Sequence, residues 1–197
     1  MKEAYIGIDP GKTGYITIYA DGEFDFYEMP THPVPNGKLL KSGKEQTKPE
    51  FHEEGFISLF SRIQEKYIDY KLFGCIEKVV GRQHWSAQNN FTFGYVAGLQ
   101  KMLLIMLGAE ITMVRPQKWQ ATMYGNMERI KIPSQSGKTM VNDTKAMSAK
   151  VAQILAPKII FSKQGVKKKD GTTHKIHDGK TDSFLICLYL YTMRKNK

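Results

Sequence analysis

Only two cysteines occur in the 197 residues. Cys75 and Cys187 each lie inside an apolar run, Leu72-Phe73-Gly74-Cys75-Ile76 and Leu185-Ile186-Cys187-Leu188. Such placement fits buried free thiols better than a disulfide framework or a thiolate metal site. Long hydrophobic runs are missing as well. The apolar stretch near 102–107 falls far short of the ~20 residues that span a bilayer. The N-terminus has no basic segment followed by an apolar stretch and a cleavage site, so a cytosolic compartment is expected. No linker rich in Pro, Gly or Ser divides the chain and no internal repeat is visible, so residues 1–197 are expected to form one domain.

Acid is scarce in one half only. Residues 1–100 hold 11 basic and 13 acidic residues, a net −2, whereas residues 101–197 hold 18 basic and 6 acidic, a net +12. The sum is the overall +10. A polyanionic partner is the natural inference, because each phosphate contact releases condensed counterions. With 41% hydrophobic and 24% charged residues, the rest of the composition is that of an ordinary globular protein.

The chain opens with three β-rich segments. Ala4-Tyr5-Ile6-Gly7-Ile8 is a short buried strand, Asp9 to Gly14 a turn, and Tyr15 to Tyr19 a second strand. Asp21-Gly22 then turns the chain into Phe24-Asp25-Phe26-Tyr27. Residues 31–48, with Pro33, Pro35, Gly37 and four lysines, predict a long loop. Thr47-Lys48-Pro49-Glu50 has the form of a capping box, with Thr47 as N-cap and Glu50 reaching back. It predicts a helix through Phe56, Leu59, Phe60, Ile63 and Tyr67. A buried strand follows from Leu72 to Val80, then a loop with Arg82, His84 and Trp85, and a helix from Phe93 to Leu107. Ile111 to Val114 is a further strand, stopped at Arg115-Pro116. Asp143 caps a helix that Pro157 ends. Lysine-rich residues at about 160–176, centred on Asp170-Gly171, predict a basic hairpin, and the last helix spans about Asp178 to Met193.

Acids inside this apolar framework are the chemical signal. Asp9 ends the first strand, Glu77 lies in Cys75-Ile76-Glu77-Lys78-Val79, and Asp178 and Asp182 stand one turn apart on the last helix. A carboxylate beside a buried element is costly unless paired or bound to metal. Four of them from separated segments suggest an oxygen-ligand site for hard cations. Two Mg²⁺ ions would balance four carboxylate charges, and such a pair can activate water and stabilise the leaving oxygen of a phosphodiester.

Ile6-Gly7-Ile8-Asp9-Pro10-Gly11, Ile76-Glu77-Lys78-Val79 and His177-Asp178-Gly179-Lys180-Thr181-Asp182-Ser183, in this order, resemble the RuvC-type Holliday junction resolvases of the RNase H-like superfamily. The element order agrees over nearly the whole chain. Phe93-Gly94-Tyr95-Val96-Ala97-Gly98 is similar to the family's glycine-containing interface helix, and the lysine-rich pattern looks most like bacteriophage members. The resemblance implies an α/β fold with a five-stranded mixed sheet flanked by helices. It also implies a homodimer on branched DNA and phosphodiester hydrolysis with Mg²⁺, or Mn²⁺ in its place. Carried over, Asp9 bridges the metals, Glu77 ligates one, and Asp178 and Asp182 complete the set. Two departures stand out. The family spaces its last two acids three apart, but three before Asp182 stands Gly179, so Asp178 takes the part. The aromatic that follows the family's strand glutamate is replaced by Val80, which leaves Trp85 or Phe91 as stacking candidates against a slightly favoured core role.

Phosphate contacts are expected from Lys12, Arg82, Lys118 and Lys145, and from Lys167, Lys168 and Lys169 in the basic hairpin. Trp119 is expected to pack under the sheet edge. Two phosphate-loop lookalikes fail on spacing. Gly7 to Thr13 has one residue too few between its glycines, and Ser136-Gly137-Lys138-Thr139 has Ile132 where the first glycine belongs. An ATPase of the actin and Hsp70 type shares the opening strands but needs two such domains. A DNA-binding module without chemistry would have no use for four such acids.

Overall fold

The computed structural model describes residues 1–40, 42–134, 136–167 and 174–196, with the side chains of 163–167 and 174–175 outside the description. Eleven strands and five helices follow one another among the described residues. In order they are β1 Lys2–Asp9, β2 Tyr15–Ala20, β3 Glu23–Glu28, β4 Thr31–Leu39, β5 Glu45–Phe51, α1 Glu53–Lys66, β6 Tyr70–Glu77 and α2 Ala87–Met106. Then come β7 Glu110–Val114, α3 Pro116–Tyr124, β8 Lys131–Pro133, β9 Met140–Asn142, α4 Thr144–Leu155, β10 Ser162–Lys167, β11 His174–Ile176 and α5 Asp178–Lys195.

Five strands form the central sheet in the order β3-β2-β1-β6-β7. β1 pairs antiparallel with β2 and parallel with β6, and β6 pairs parallel with β7. The expected mixed five-stranded sheet with flanking helices is therefore present. Strand periodicity of two sorts its side chains into two layers. Ala4, Ile6 and Ile8 face α1 and α2, in a core with Phe56, Leu59, Ile63, Leu103 and Leu104. Tyr5, Phe73 and Cys75 face the other way, against Trp119, Met147, Val151 and Phe184 to Cys187. Asp9 and Glu77 continue this second face, since each stands two residues beyond Gly7 or Cys75. Both thiols are buried and free, and burial pushes Cys75 up to about 12.

Gly7 explains how α5 lies so close. A Cβ there would meet the Cys187 nitrogen at 2.3 Å and the Ser183 carbonyl at 2.4 Å. Helix backbone thus rests directly on β1. A buried bond of 2.7 Å between Thr17 Oγ1 and Ser183 Oγ fixes the same contact from β2.

Four local expectations are corrected. Residues 31–48 are not a long loop: β4 and β5 form a two-stranded ribbon. The capping box is not used, because Thr47 and Glu50 sit in β5, opposite Pro35 and His32. Cross-strand pairing outcompetes a local cap here, and Glu50 Oε1 pairs with Lys48 Nζ at 2.9 Å. The first helix accordingly starts at Glu53, after His52. α2 begins six residues earlier than expected, because Ser86 caps it by accepting from the Asn89 nitrogen at 3.2 Å. Arg115-Pro116 does more than stop a strand, since Pro116 opens α3, where a missing N–H costs nothing. Asp143 caps α4 as expected, accepting from the Ala146 nitrogen at 3.0 Å.

A candidate active site at the strand ends

β1 and β6 run parallel and stop side by side, with Ile8 opposite Ile76. Their next residues, Asp9 and Glu77, therefore stand together at the carboxyl ends of the two central strands, the usual place for a site in an open α/β sheet. The first two turns of α5 bring Asp178 and Asp182 to them. All four acids line one cleft of about 720 Å³, together with Lys12, Lys48, Glu50, Arg82, Trp85, Phe93 and Lys145 among others.

Gly179 gives the physical reason for the altered acid spacing. A Cβ at that position would meet the Thr13 carbonyl at 2.8 Å and Asp9 Oδ2 at 3.1 Å. An aspartate there would collide with the turn after β1, and the acid stands one residue earlier instead. Asp178 is partly exposed at the cleft wall, where Lys145 Nζ donates to its Oδ2 at 2.7 Å.

The electrostatics are those of crowded carboxylates. Burial, then the charges of Asp182, Glu77 and Asp178, hold the Asp9 carboxyl well above the usual range, with Lys145 opposing. Burial pushes Asp182 up to about 7, where Glu77 and Asp178 add to the shift and a hydrogen bond from Ser148 resists it. Glu77 is raised by burial, against the pull of Trp119 and Arg82. Asp182 Oδ1 is buried without a hydrogen-bond partner among the described residues. Orphaned oxygen and mutual repulsion are what a carboxylate set built for hard cations shows when no cation balances it. No three His, Cys, Asp or Glu among the described residues are gathered into a finished cage. The acids share a cleft rather than a point. In donor type, charge and orphaned oxygen the residues fit divalent cations held by Asp9, Glu77, Asp178 and Asp182.

Several supporting roles left no mark in the sequence. Trp119 packs where expected, fully buried, and its indole Nε1 also donates to Glu77 Oε2 at 2.8 Å. Ser148, which bonds Asp182, shares a 2.8 Å bond with Tyr124 Oη. Gln100, fully buried on α2, clamps the turn after Asp9: it accepts from the Gly11 nitrogen at 3.1 Å and donates to the Gly11 carbonyl at 3.3 Å. Each acts from a distant segment, so no local spacing could have revealed it.

The expected phosphate contacts divide. Lys12, Arg82 and Lys145 line the cleft. Lys118 is exposed on α3 and is not among the lining residues. Lys167 ends β10, whose Ser162 and Lys167 pair with Ile176 and His174 of β11. Lys168 and Lys169 lie outside the described residues. A core role for Trp85 and Phe91 is overturned, because both are exposed. Trp85 lines the cleft with the Arg82 guanidinium 4.5 Å from its ring centroid, whereas Phe91 stands on the outer side of α2.

No protein-family model and no curated protein sequence matches the chain. Solved structures are similar to it, two of them of RuvC from Thermus thermophilus. RuvC of Thermus thermophilus in complex with a Holliday junction substrate is 10% identical, with a TM-score of 0.50 over 98% of this chain and 96% of that one. A structure of Thermus thermophilus RuvC alone is 14% identical, with a TM-score of 0.47 over the same shares. At such identity the likeness is one of fold. The chain has the mixed-sheet α/β fold of RuvC and the RNase H-like proteins.

Proposed function

We propose that the chain is a divalent-metal-dependent endodeoxyribonuclease that cuts branched DNA, four-way junctions above all, and works as a homodimer. One observation carries this reading: four carboxylates from β1, β6 and α5 converge on one cleft, two of them pushed strongly upward by burial and one with an orphaned oxygen. The fold supports it, because a solved structure of that fold holds a Holliday junction substrate.

Asp9, Glu77, Asp178 and Asp182 would hold Mg²⁺, or Mn²⁺ in its place. When bound, such ions supply an activated water and charge stabilisation for the leaving oxygen. The chain's own groups do the rest. Trp119 fixes the Glu77 carboxylate through its indole N–H, as an outer partner fixes a ligand. Gln100 holds the Gly11 turn, and with it Asp9. Lys12 and Arg82 bring positive charge to the cleft for the phosphate backbone, and Trp85 offers a ring face for an unstacked base. Lys145 offsets the Asp178 charge and stands within reach of a phosphate at the same place.

Dimerisation rests on α2. Phe91, Met102 and Ile105 form an exposed stripe at helical spacing, and a Cβ added at Gly94 or Gly98 would meet nothing within 4 Å among the described residues. Such a seam suits close approach by a second copy, and two copies present two clefts to a symmetric junction.

Asp9→Asn and Glu77→Gln test the assignment. Each is expected to abolish cleavage of a labelled four-way junction in Mg²⁺ while binding to the junction persists. Near-normal cleavage by either variant would remove that residue from the site.

A further inference from the structure

Apart from Phe51 at its root, the β4–β5 ribbon has no part in the core, and its construction needs a reason. A lone two-stranded hairpin is marginal in water, yet this one is kept and stiffened. Its root is anchored: Phe51 is buried with its ring 5.2 Å from Phe56, and the His52 nitrogen donates to the Pro30 carbonyl at 3.0 Å. Midway, Asn36 Nδ2 donates across the strands to Gln46 Oε1 at 3.0 Å, and Asn36 Oδ1 accepts from the Lys38 nitrogen at 3.0 Å. At the tip the Leu40 nitrogen donates to the Lys44 carbonyl at 2.8 Å, with Gly43 at φ 77° closing the turn. Nine residues of β4 extend up to about 30 Å at the strand rise.

Its two faces differ. Residues directly opposite share a face, so Val34 and Lys48, and His32 and Glu50, lie together. The partly covered residues Val34, Asn36, Gln46 and Glu50 all belong to this face, and Lys48 and Glu50 line the carboxylate cleft. The other face carries Pro33, Pro35 and Pro49. Pro33 stands opposite Pro49. Neither has an N–H, so theirs is a non-bonded pair, whose backbone groups point away from the partner strand. The prolines thus remove outward donors from both edges. A ribbon so blunted is a poor template for a further strand, which disfavours a partner that binds by adding to the sheet.

What it offers instead is charge and an apolar tip. Residues 31–51 hold four lysines against two glutamates. Lys38 and Lys44 are exposed near the tip, beside Leu39 at 74% and Leu40 at 47% exposure. Two leucines displayed between lysines, at the end of a stiff arm rising from the cleft, suit a polyanion with accessible apolar rings. Branched DNA has both: phosphates along its arms and incompletely stacked bases at the crossing. Apolar side chains are used as wedges at such base steps, and a two-stranded ribbon is of a size to enter a major groove.

We propose that the β4–β5 ribbon is a DNA-binding arm, with Lys38 and Lys44 on the backbone of a duplex arm and Leu39 and Leu40 against bases at the branch point. This rests on the branched-DNA reading of the cleft, and binding without cleavage separates the two. Affinity for a four-way junction is measured in EDTA across a salt series, with 2-aminopurine at the branch reporting unstacking by its fluorescence. Lys38→Ala/Lys44→Ala is expected to weaken binding roughly tenfold and to make the slope of log K against log salt shallower by about 0.9 for each phosphate no longer neutralised. Leu39→Ser/Leu40→Ser is expected to lose the rise in 2-aminopurine fluorescence that the unaltered chain produces. All four side chains are exposed, and circular dichroism checks that both variants fold. Unchanged affinity and slope in the lysine variant, or an unchanged fluorescence rise in the leucine variant, would overturn the arm. An unaltered chain that binds no junction would overturn it too. One that binds through the arm but cuts nothing in Mg²⁺ would contradict the nuclease reading alone.

Discussion

Asp182 combines two costs: its carboxyl is buried, and Glu77 and Asp178 press on it while Ser148 and Lys145 relieve it in part. A carboxyl raised in the folded state stabilises that state while protonated. Its contribution is full below the unfolded value of about 3.9 and is lost as pH rises through about 7. The metal-free chain is therefore expected to lose stability between about pH 4 and pH 7 on account of this group. Asp182→Asn should raise Tm at pH 8 by roughly 2–4 °C for each kcal/mol of relieved repulsion, with the gain shrinking toward pH 5. Mg²⁺ should raise the Tm of the unaltered chain more than that of the variant, and equal shifts would take Asp182 out of the cation set. Trp119 admits a parallel test. Trp119→Phe keeps an aromatic ring in the core and removes the N–H that holds Glu77. Outer partners of this kind typically contribute about 10–100-fold to metal affinity or activity, so calorimetric titration with Mn²⁺ should show a loss in that range. Unaltered affinity would make Trp119 a packing residue only.

At the scale of elements, α2 unites two proposed roles: Gln100 clamps the turn after Asp9 on its inner side, and Phe91, Met102 and Ile105 are exposed on its outer side. Gly98→Glu is expected to leave the fold intact, since nothing among the described residues beyond its own helix backbone and chain neighbours lies within 4 Å of an added Cβ, and glutamate favours helix over glycine. It should nonetheless convert a dimer to a monomer in sedimentation. A variant that remains dimeric would move the interface elsewhere. The central strands and every helix but the short α3 were legible because their cores repeat with periods of two and 3.6. Asp9, Glu77 and Asp182 were legible because an acid interrupts each apolar run. The β4–β5 ribbon was not: Pro33, Pro35 and Pro49 read as loop signals, and only the cross-strand register shows that they occupy positions where a strand tolerates proline. Thr47 to Glu50 misled for the same reason, since a four-residue cap motif carries no knowledge of what pairs opposite it. Gly7 and Gly179 became meaningful only once α5 was seen lying on β1 and its turn.

For the whole molecule, the proposed function requires acids and bases in one place. The four carboxylates share their cleft with Lys12, Lys48, Arg82 and Lys145, charge of the sign that attracts a polyanion to metal-holding acids. Cleavage of end-labelled four-way, three-way, flap and linear duplex DNA, in parallel and in Mg²⁺, tests this most directly. The account predicts paired nicks near the centre of the four-way junction, weaker cutting of the other branched forms, none of linear duplex, and none of any substrate in EDTA. Absence of cleavage of every branched form in both Mg²⁺ and Mn²⁺, or equal cleavage of linear duplex, would contradict it.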